Sequence, residues 1–187
     1  MKKKLYLMRH GQTMFNEQDR VQGVCDSPLT EKGKEQALYT RDHYFREREI
    51  QTDLAISSTQ ERASDTLELV TEQPYDRLKG IKEMSFGLYE GWLNKMVPRD
   101  WETSLPHYGG ELFSDAGNRM KETLTEVMKQ PDTESVLAVS HGCAIRAFLT
   151  ACDMKPPRFN NCSVAELDWD PETGIFSLSE IWQNPLL

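Results

Sequence analysis

Residues 5–16 read LYLMRHGQTMFN, and the point at which their apolar run stops decides how the whole chain is read. Leu5, Tyr6, Leu7 and Met8 make a run of strand length. Arg9, His10 and Gly11 follow at once, where a buried strand would end. In open α/β sheets ligands gather at the carboxyl ends of strands, which would put His10 at a crevice. Gly11 leaves no side chain beside the ring and lets the backbone turn sharply, so a bulky anion can approach the imidazole and Arg9 can clamp it. A lone His beside an Arg is more often a surface pair or a structural histidine, so the remaining chain has to decide.

Outward from that stretch, strand-length apolar runs recur at Leu54–Ile56, Val136–Val139, Val164–Leu167 and Ile175–Leu178, and helical patterns alternate with them. Ser58, Thr59, Gln60 and Glu61 fit a capping box that starts a helix with Ala63, Thr66, Leu67 and Val70 on one face and Arg62 in its first turn. Met120, Leu124, Val127 and Met128 mark a helix over Ser114–Lys129, and Ile145, Phe148, Leu149 and Cys152 mark another just after His141. Asp170, Pro171 and Gly174 turn the last two strands into an antiparallel hairpin. The expected fold is therefore an α/β single-domain three-layer sandwich, with a mostly parallel central sheet flanked by helices and an antiparallel C-terminal hairpin.

His10, Arg62 and His141 then share one address, each at a strand end or in the first turn of the next helix. In a parallel sheet such addresses converge. Helix N-termini there offer unpaired N–H groups and a positive dipole end, which suits a phosphate dianion, and Arg9 and Arg62 add planar forks matched to its oxygens.

The 187 residues fit a single domain over residues 1–187 that needs no staples, and 38% hydrophobic with 28% charged residues is ordinary for a folded protein. Lys2, Lys3 and Lys4 precede an apolar run too short for a signal peptide, and no segment has membrane-spanning length, so the expectation is a cytoplasmic protein with no membrane partner. Cys25, Cys143, Cys152 and Cys162 form no CxxC pair, which points to reduced thiols and to no metal site. The net charge is −8, and no Lys or Arg occurs from Phe159 onward. Such a surface repels nucleic acid, so the partner expected is a small, locally held phosphorylated substrate, with no cofactor.

The segment at about 86–113, with Phe86, Tyr89, Trp92, Trp101, His107, Tyr108, Gly109 and Gly110, is the least regular and reads as a pocket wall or lid. Its aromatics suit either stacking on a substrate ring or closing a small core. His43, among Arg41, Asp42 and Arg46, is expected at the surface.

Five stretches, LYLMRHGQTMFN, VQGVCDSPLTEKG (21–33), SSTQERA (57–63), IKEMSFGLYEGW (81–92) and VSHGCAIR (139–146), together and in this order resemble the histidine phosphatase superfamily, and within it the phosphoglycerate-mutase-like branch. The resemblance implies that His10 is a nucleophile forming a phosphohistidine, that Arg9, Arg62 and His141 bind the nonbridging oxygens, and that Asn16 adds a polar contact. Glu83, in its KEMSFG context, matches the family's proton carrier. Gln22 and Gly23 match a loop that lies near substrate, with a plain turn as their other reading. Glu90 suits a structural hydrogen bond as well as a catalytic part, and Leu112 stands where the family's GGES loop has serine. Only 57 residues separate Glu83 from His141, and mutases of the family carry a longer insertion there, so hydrolysis of small phosphomonoesters is expected. Mutase-type phosphoryl transfer is the alternative, and a noncatalytic phospho-ligand or protein-binding module ranks below both.

Overall fold

The computed structural model describes all 187 residues. Its strands are β1 (Lys3–Arg9), β2 (Leu54–Ser58), β3 (Tyr75–Leu78), β4 (Ser135–Ser140), β5 (Val164–Asp170) and β6 (Ile175–Trp182). Its α-helices are α1 (Met14–Glu17), α2 (Glu31–Thr40), α3 (Glu61–Val70), α4 (Trp101–Ser104), α5 (Phe113–Met128) and α6 (Gly142–Ala151), and α2 runs on through a wider π-helical winding at Arg41–Arg46. The strands form one sheet in the order β3-β2-β4-β1-β5-β6. The pairs β3/β2, β2/β4 and β4/β1 are parallel, and β1/β5 and β5/β6 are antiparallel. The fold is the expected α/β sandwich, with the hairpin at one edge.

Alternation along β1 explains the two layers of core. Leu5 and Leu7 face α5 and α6, packing with Met120, Leu124, Ile145 and Phe148, while Tyr6 and Met8 face α2 and α3, packing with Ala37, Tyr44, Ala63 and Leu67. With helices over both faces, β1 and β4 are buried throughout their centres, which is why they read as continuous apolar runs. No helix is long and apolar enough to cross a membrane.

Two local expectations need correction. The sequence signalled no strand at Tyr75–Leu78, yet this short edge strand pairs with β2; its Asp76 and Arg77 are exposed and give it no apolar run. The capping box at Ser58 does not form. Ser58 is still the last residue of β2, its hydroxyl meets the Gln60 N–H at 3.2 Å, and α3 starts at Glu61 with no side-chain cap from its own N-cap residue. The Asp26 carboxylate, from a loop 35 residues upstream, accepts the Glu61 N–H instead.

The 86–113 segment folds into short helical turns. Phe86 and Leu105 are buried with Val21, Met84 and Ala147 in a third, smaller core, on which Trp101 packs with its ring centroid 5.6 Å from that of Phe86. Trp92 stays half exposed, and His43 lies on the surface with Nδ1 2.6 Å from Glu47.

Candidate active site

Strand register creates the centre of the site. Met8 sits opposite Val139 and Arg9 opposite Ser140, so the next residue of each strand, His10 and His141, emerge side by side. The His10 N–H still donates to the Ser140 carbonyl at 3.0 Å, and the two ring centroids are 5.2 Å apart. The two rings are buried.

His10 is held by its own loop. Its Nδ1 lies 2.7 Å from the Gly11 carbonyl, which can only accept, so Nδ1 carries the proton and Nε2 keeps its lone pair. Burial, followed by the charges of Arg62 and Arg9, lowers the His10 pKa well below 6.5, so the ring is neutral at neutral pH. The same forces lower His141, burial first, with the charges of Arg62, Arg9 and Arg119 and the His10 ring following. A Cβ on Gly11 would come within 2.6 Å of the Gly33 carbonyl, and one on Gly33 would collide with the Gln12 backbone, so the first turn of α2 packs main chain on main chain against the His10 loop.

Arg62 is buried at the base, where its guanidinium donates to the carbonyls of Cys25 (2.8 Å) and Gly23 (3.0 Å) and pairs with Asp26 at 2.8 Å. Arg9 donates to the Phe159 carbonyl at 2.6 Å, and burial lowers its pKa, with the charge of Arg158 adding to the effect. These anchors leave parts of the cluster unanswered. Six buried side-chain nitrogen and oxygen atoms have no hydrogen-bond partner, and four of them are Arg9 Nε, Arg62 Nε and both ring nitrogens of His141. Unpaired buried polar groups are costly and rare, so their concentration around one histidine marks a place for an oxygen-rich anion.

The structure brings Glu83 to the same cavity. Its Oε1 accepts the N–H groups of Met84 (2.9 Å) and Ala144 (2.8 Å), and its Oε2 accepts that of Cys143 (3.2 Å), so the carboxylate caps the start of α6. Asn16 is fixed through Oδ1, which accepts from Thr13 N at 3.2 Å and from Asn161 Nδ2 at 3.3 Å. Gln22 and Gly23 line the cavity, with Gln22 Oε1 accepting from the Ser27 hydroxyl at 3.2 Å and the Gly23 carbonyl held by Gln60 Nε2 at 2.7 Å. The cavity measures about 240 Å³, and His10, Glu83, Asn16 and Phe86 are in its wall. His107 is exposed and not in that wall.

Glu90 is structural. Its carboxylate accepts from Val24 N, Cys25 N, Phe86 N and the Ser85 hydroxyl, tying the 22–25 loop to the 85–91 turn. Leu112 precedes α5 and offers no side-chain cap. Cys143 lies in the wall, but burial, with Glu83 adding to it, pushes its thiol up to about 12, so it stays protonated.

Sequence reasoning missed several residues of the site. Asp26 and Gln60 lie inside the quoted motifs, and a carboxylate and an amide so close in sequence to Cys25 and Arg62 were the available signal. Gln60 bridges the site, with Oε1 accepting the Glu83 N–H at 2.7 Å. Asn161, which donates to the His10 carbonyl at 3.0 Å, and Arg158 come from an irregular segment with no motif.

A family model described as histidine phosphatase superfamily (branch 1) matches residues 5–181. A protein of Salmonella paratyphi C named probable phosphoglycerate mutase GpmB is 28% identical, over 92% of this chain and 88% of its own. Among solved structures, YhfR of Bacillus stearothermophilus is similar with a TM-score of 0.81 at 28% identity, covering 94% of this chain and 95% of that one. A mycobacterial glucosyl-3-phosphoglycerate phosphatase, solved with VO3, superposes with a TM-score of 0.80 at 25% identity, over 97% of this chain and 98% of its own.

Proposed function

The chain belongs to branch 1 of the histidine phosphatase superfamily, and from that premise we propose that it is a phosphatase of small phosphorylated metabolites working through a phosphohistidine at His10. The observation that carries this reading is the group of unpaired buried nitrogens on Arg9, Arg62 and His141 around a neutral His10. A phosphoryl group set there answers all three residues at once. Asn16 adds a donor, and Gln22 and Gly23 line the approach.

His10 Nε2 attacks phosphorus in line, forming the N–P bond as the P–O bond to the leaving group breaks. Arg9 and Arg62 spread the charge of the transferring group, and His141 donates to it, its low pKa rising beside a dianion. Glu83 takes the proton that a phosphate monoanion brings and passes it to the leaving oxygen, then takes one from the water that cleaves the phosphohistidine. The 86–113 segment supplies the pocket wall through Phe86 and Asn94. Four free thiols accord with a cytoplasmic setting.

The decisive experiment is a panel of phosphomonoesters assayed for free phosphate, run beside a mutase assay with 3-phosphoglycerate and its bisphosphate. Phosphate release, undiminished in chelator and blocked by vanadate, is the expected result, with acid-labile phosphate on His10 after brief exposure to substrate. Isomerisation without release would instead establish mutase-type transfer, the second reading, which the name of the Salmonella relative favours.

A further inference from the structure

Gln36 lies in the middle of α2 on the face turned to the core, where an apolar residue is the ordinary choice, and it is buried. A buried carboxamide is costly unless its polar atoms are answered. Its Oε1 accepts the Gln12 N–H at 2.9 Å, and its Nε2 donates to the Leu186 carbonyl at 2.7 Å. A peptide N–H only donates and a carbonyl only accepts, so the two partners decide which end of the amide faces which. Leu186 is held in turn. The fully buried Asn184 accepts the Leu186 N–H at 2.9 Å through Oδ1, and its Nδ2 donates to the Gln36 carbonyl and the Thr40 hydroxyl oxygen, each at 2.9 Å.

The Gln12 N–H belongs to the same planar peptide group as the Gly11 carbonyl, and that carbonyl is the acceptor 2.7 Å from His10 Nδ1. In a trans peptide the N–H and C=O point in opposite directions, so a partner on one aims the other. The bond given by the N–H also strengthens the carbonyl as an acceptor. The preceding peptide group is held separately, with Asn161 donating to the His10 carbonyl at 3.0 Å and Thr66 Oγ1 accepting the Gly11 N–H at 2.9 Å. Between the two planes stands Gly11, whose missing Cβ leaves rotation of the second plane soft.

We propose that Gln36 is a positioning residue for His10: through the one peptide group between Gly11 and Gln12 it aims the carbonyl that keeps the His10 proton on Nδ1, and the Leu186 carbonyl keeps Gln36 in that orientation. The inference rests on the reading of His10 as the attacking ring, because only a ring protonated on Nδ1 offers the Nε2 lone pair to phosphorus. A Gln36 that merely packed α2 against the loop would serve stability and leave the tautomer to Gly11 alone.

Nitrogen NMR of the four histidines separates these roles, with the His10 signals assigned by their loss in His10→Ala. The wild type should show one His10 tautomer, protonated on Nδ1. Gln36→Met keeps the volume and removes both amide bonds, so the two ring-nitrogen shifts should move toward each other as both tautomers are populated. Its kcat/KM for phosphate release should fall about ten- to a hundredfold, while inhibition by inorganic phosphate stays within about threefold because Arg9, Arg62 and His141 are untouched. Gln36→Glu keeps an oxygen for the Gln12 N–H in either protonation state, so it should restore the single tautomer and most of kcat/KM even where it melts as low as Gln36→Met. Should Gln36→Met not fold, Gln36→Asn, whose amide stops one methylene short of the Gln12 N–H, carries the same comparison. Unchanged nitrogen shifts in the Met or Asn variant, or mixed tautomers in Gln36→Glu, overturn the positioning role and leave the phosphatase reading intact. A wild type that releases phosphate from no ester, with the tautomer effect present, overturns the phosphatase reading and leaves the positioning of His10 standing.

Discussion

At the amino end of β2 and β4, the Asp53 carboxylate accepts the N–H groups of Glu134 and Ser135 at 2.9 Å each and the Ser135 hydroxyl at 3.0 Å. At the carboxyl end of the same sheet, both nitrogens of His141 and the Nε atoms of Arg9 and Arg62 are buried without partners. The strands are the same, and so is the surrounding core. One end closes its polar groups on one another and serves stability. The other holds them apart, against the tendency of a folded chain to satisfy them, and that difference separates scaffold from site.

Substitutions at the two ends should therefore part activity from stability. The largest effect falls on His10→Ala, which should lower phosphate release by about 10³-fold or more while the melting temperature holds or rises, since a ring buried beside two guanidinium charges is removed. Turnover like that of the wild type would remove His10 from the chemistry and dissolve the contrast. Glu83→Gln should cost about 10²-fold on alkyl phosphates and clearly less on p-nitrophenyl phosphate, whose leaving group needs little protonation. Equal losses on both substrates would count against proton transfer by Glu83.

Between pH 7.5 and about 5 acidification should act first on the carboxyl end, because the Glu134 N–H and the Ser135 hydroxyl hold the Asp53 carboxyl at the amino end below its ordinary range. His10 and His141 have folded pKa values well below the unfolded value near 6.5, so the unfolded chain binds their protons first as pH falls. Their contribution to stability is complete above about 6.5 and declines below it toward their folded pKa values, by up to about 1.4 kcal/mol per pH unit for each ring. Melting curves from pH 7.5 to about 5 should show this decline, and His141→Gln should flatten it. An unchanged slope in that variant would show that other groups govern it. The smallest effect belongs to the amino end, where Asp53→Ala should cost about 1 kcal/mol in denaturant unfolding and leave kcat/KM within about twofold. A larger activity loss would mean that the two ends are coupled.

The sequence revealed the carboxyl end more fully than its surroundings. His10, Arg62 and His141 could be placed together because each follows a strand that reads as an apolar run, and parallel strands carry their ends to one edge. The hairpin was legible from its turn residues. What stayed hidden depends on partners distant along the chain. Asp26 caps α3 in place of Ser58 because β2 runs two residues beyond its apolar run, through Ser57 and Ser58, and no local pattern records that. The seat of Glu83 on the first N–H groups of α6 spans 60 residues and is fixed by packing. Arg158 and Asn161 sit in a segment without periodicity, so only the folded chain shows that they face His10.

The contact of Gly11 with Gly33 bears on how a mutational scan of this protein would look. Neither residue has a group that can react, yet a single methyl at Gly33 would meet the Gln12 backbone and displace the loop that orients His10. Scored by survival of function, Gly33 should be as intolerant as His10 itself. A map of essential positions would thus mark a residue that never meets a substrate, and sorting chemistry from clearance would require asking, at each such position, whether a smaller or only a larger side chain is refused.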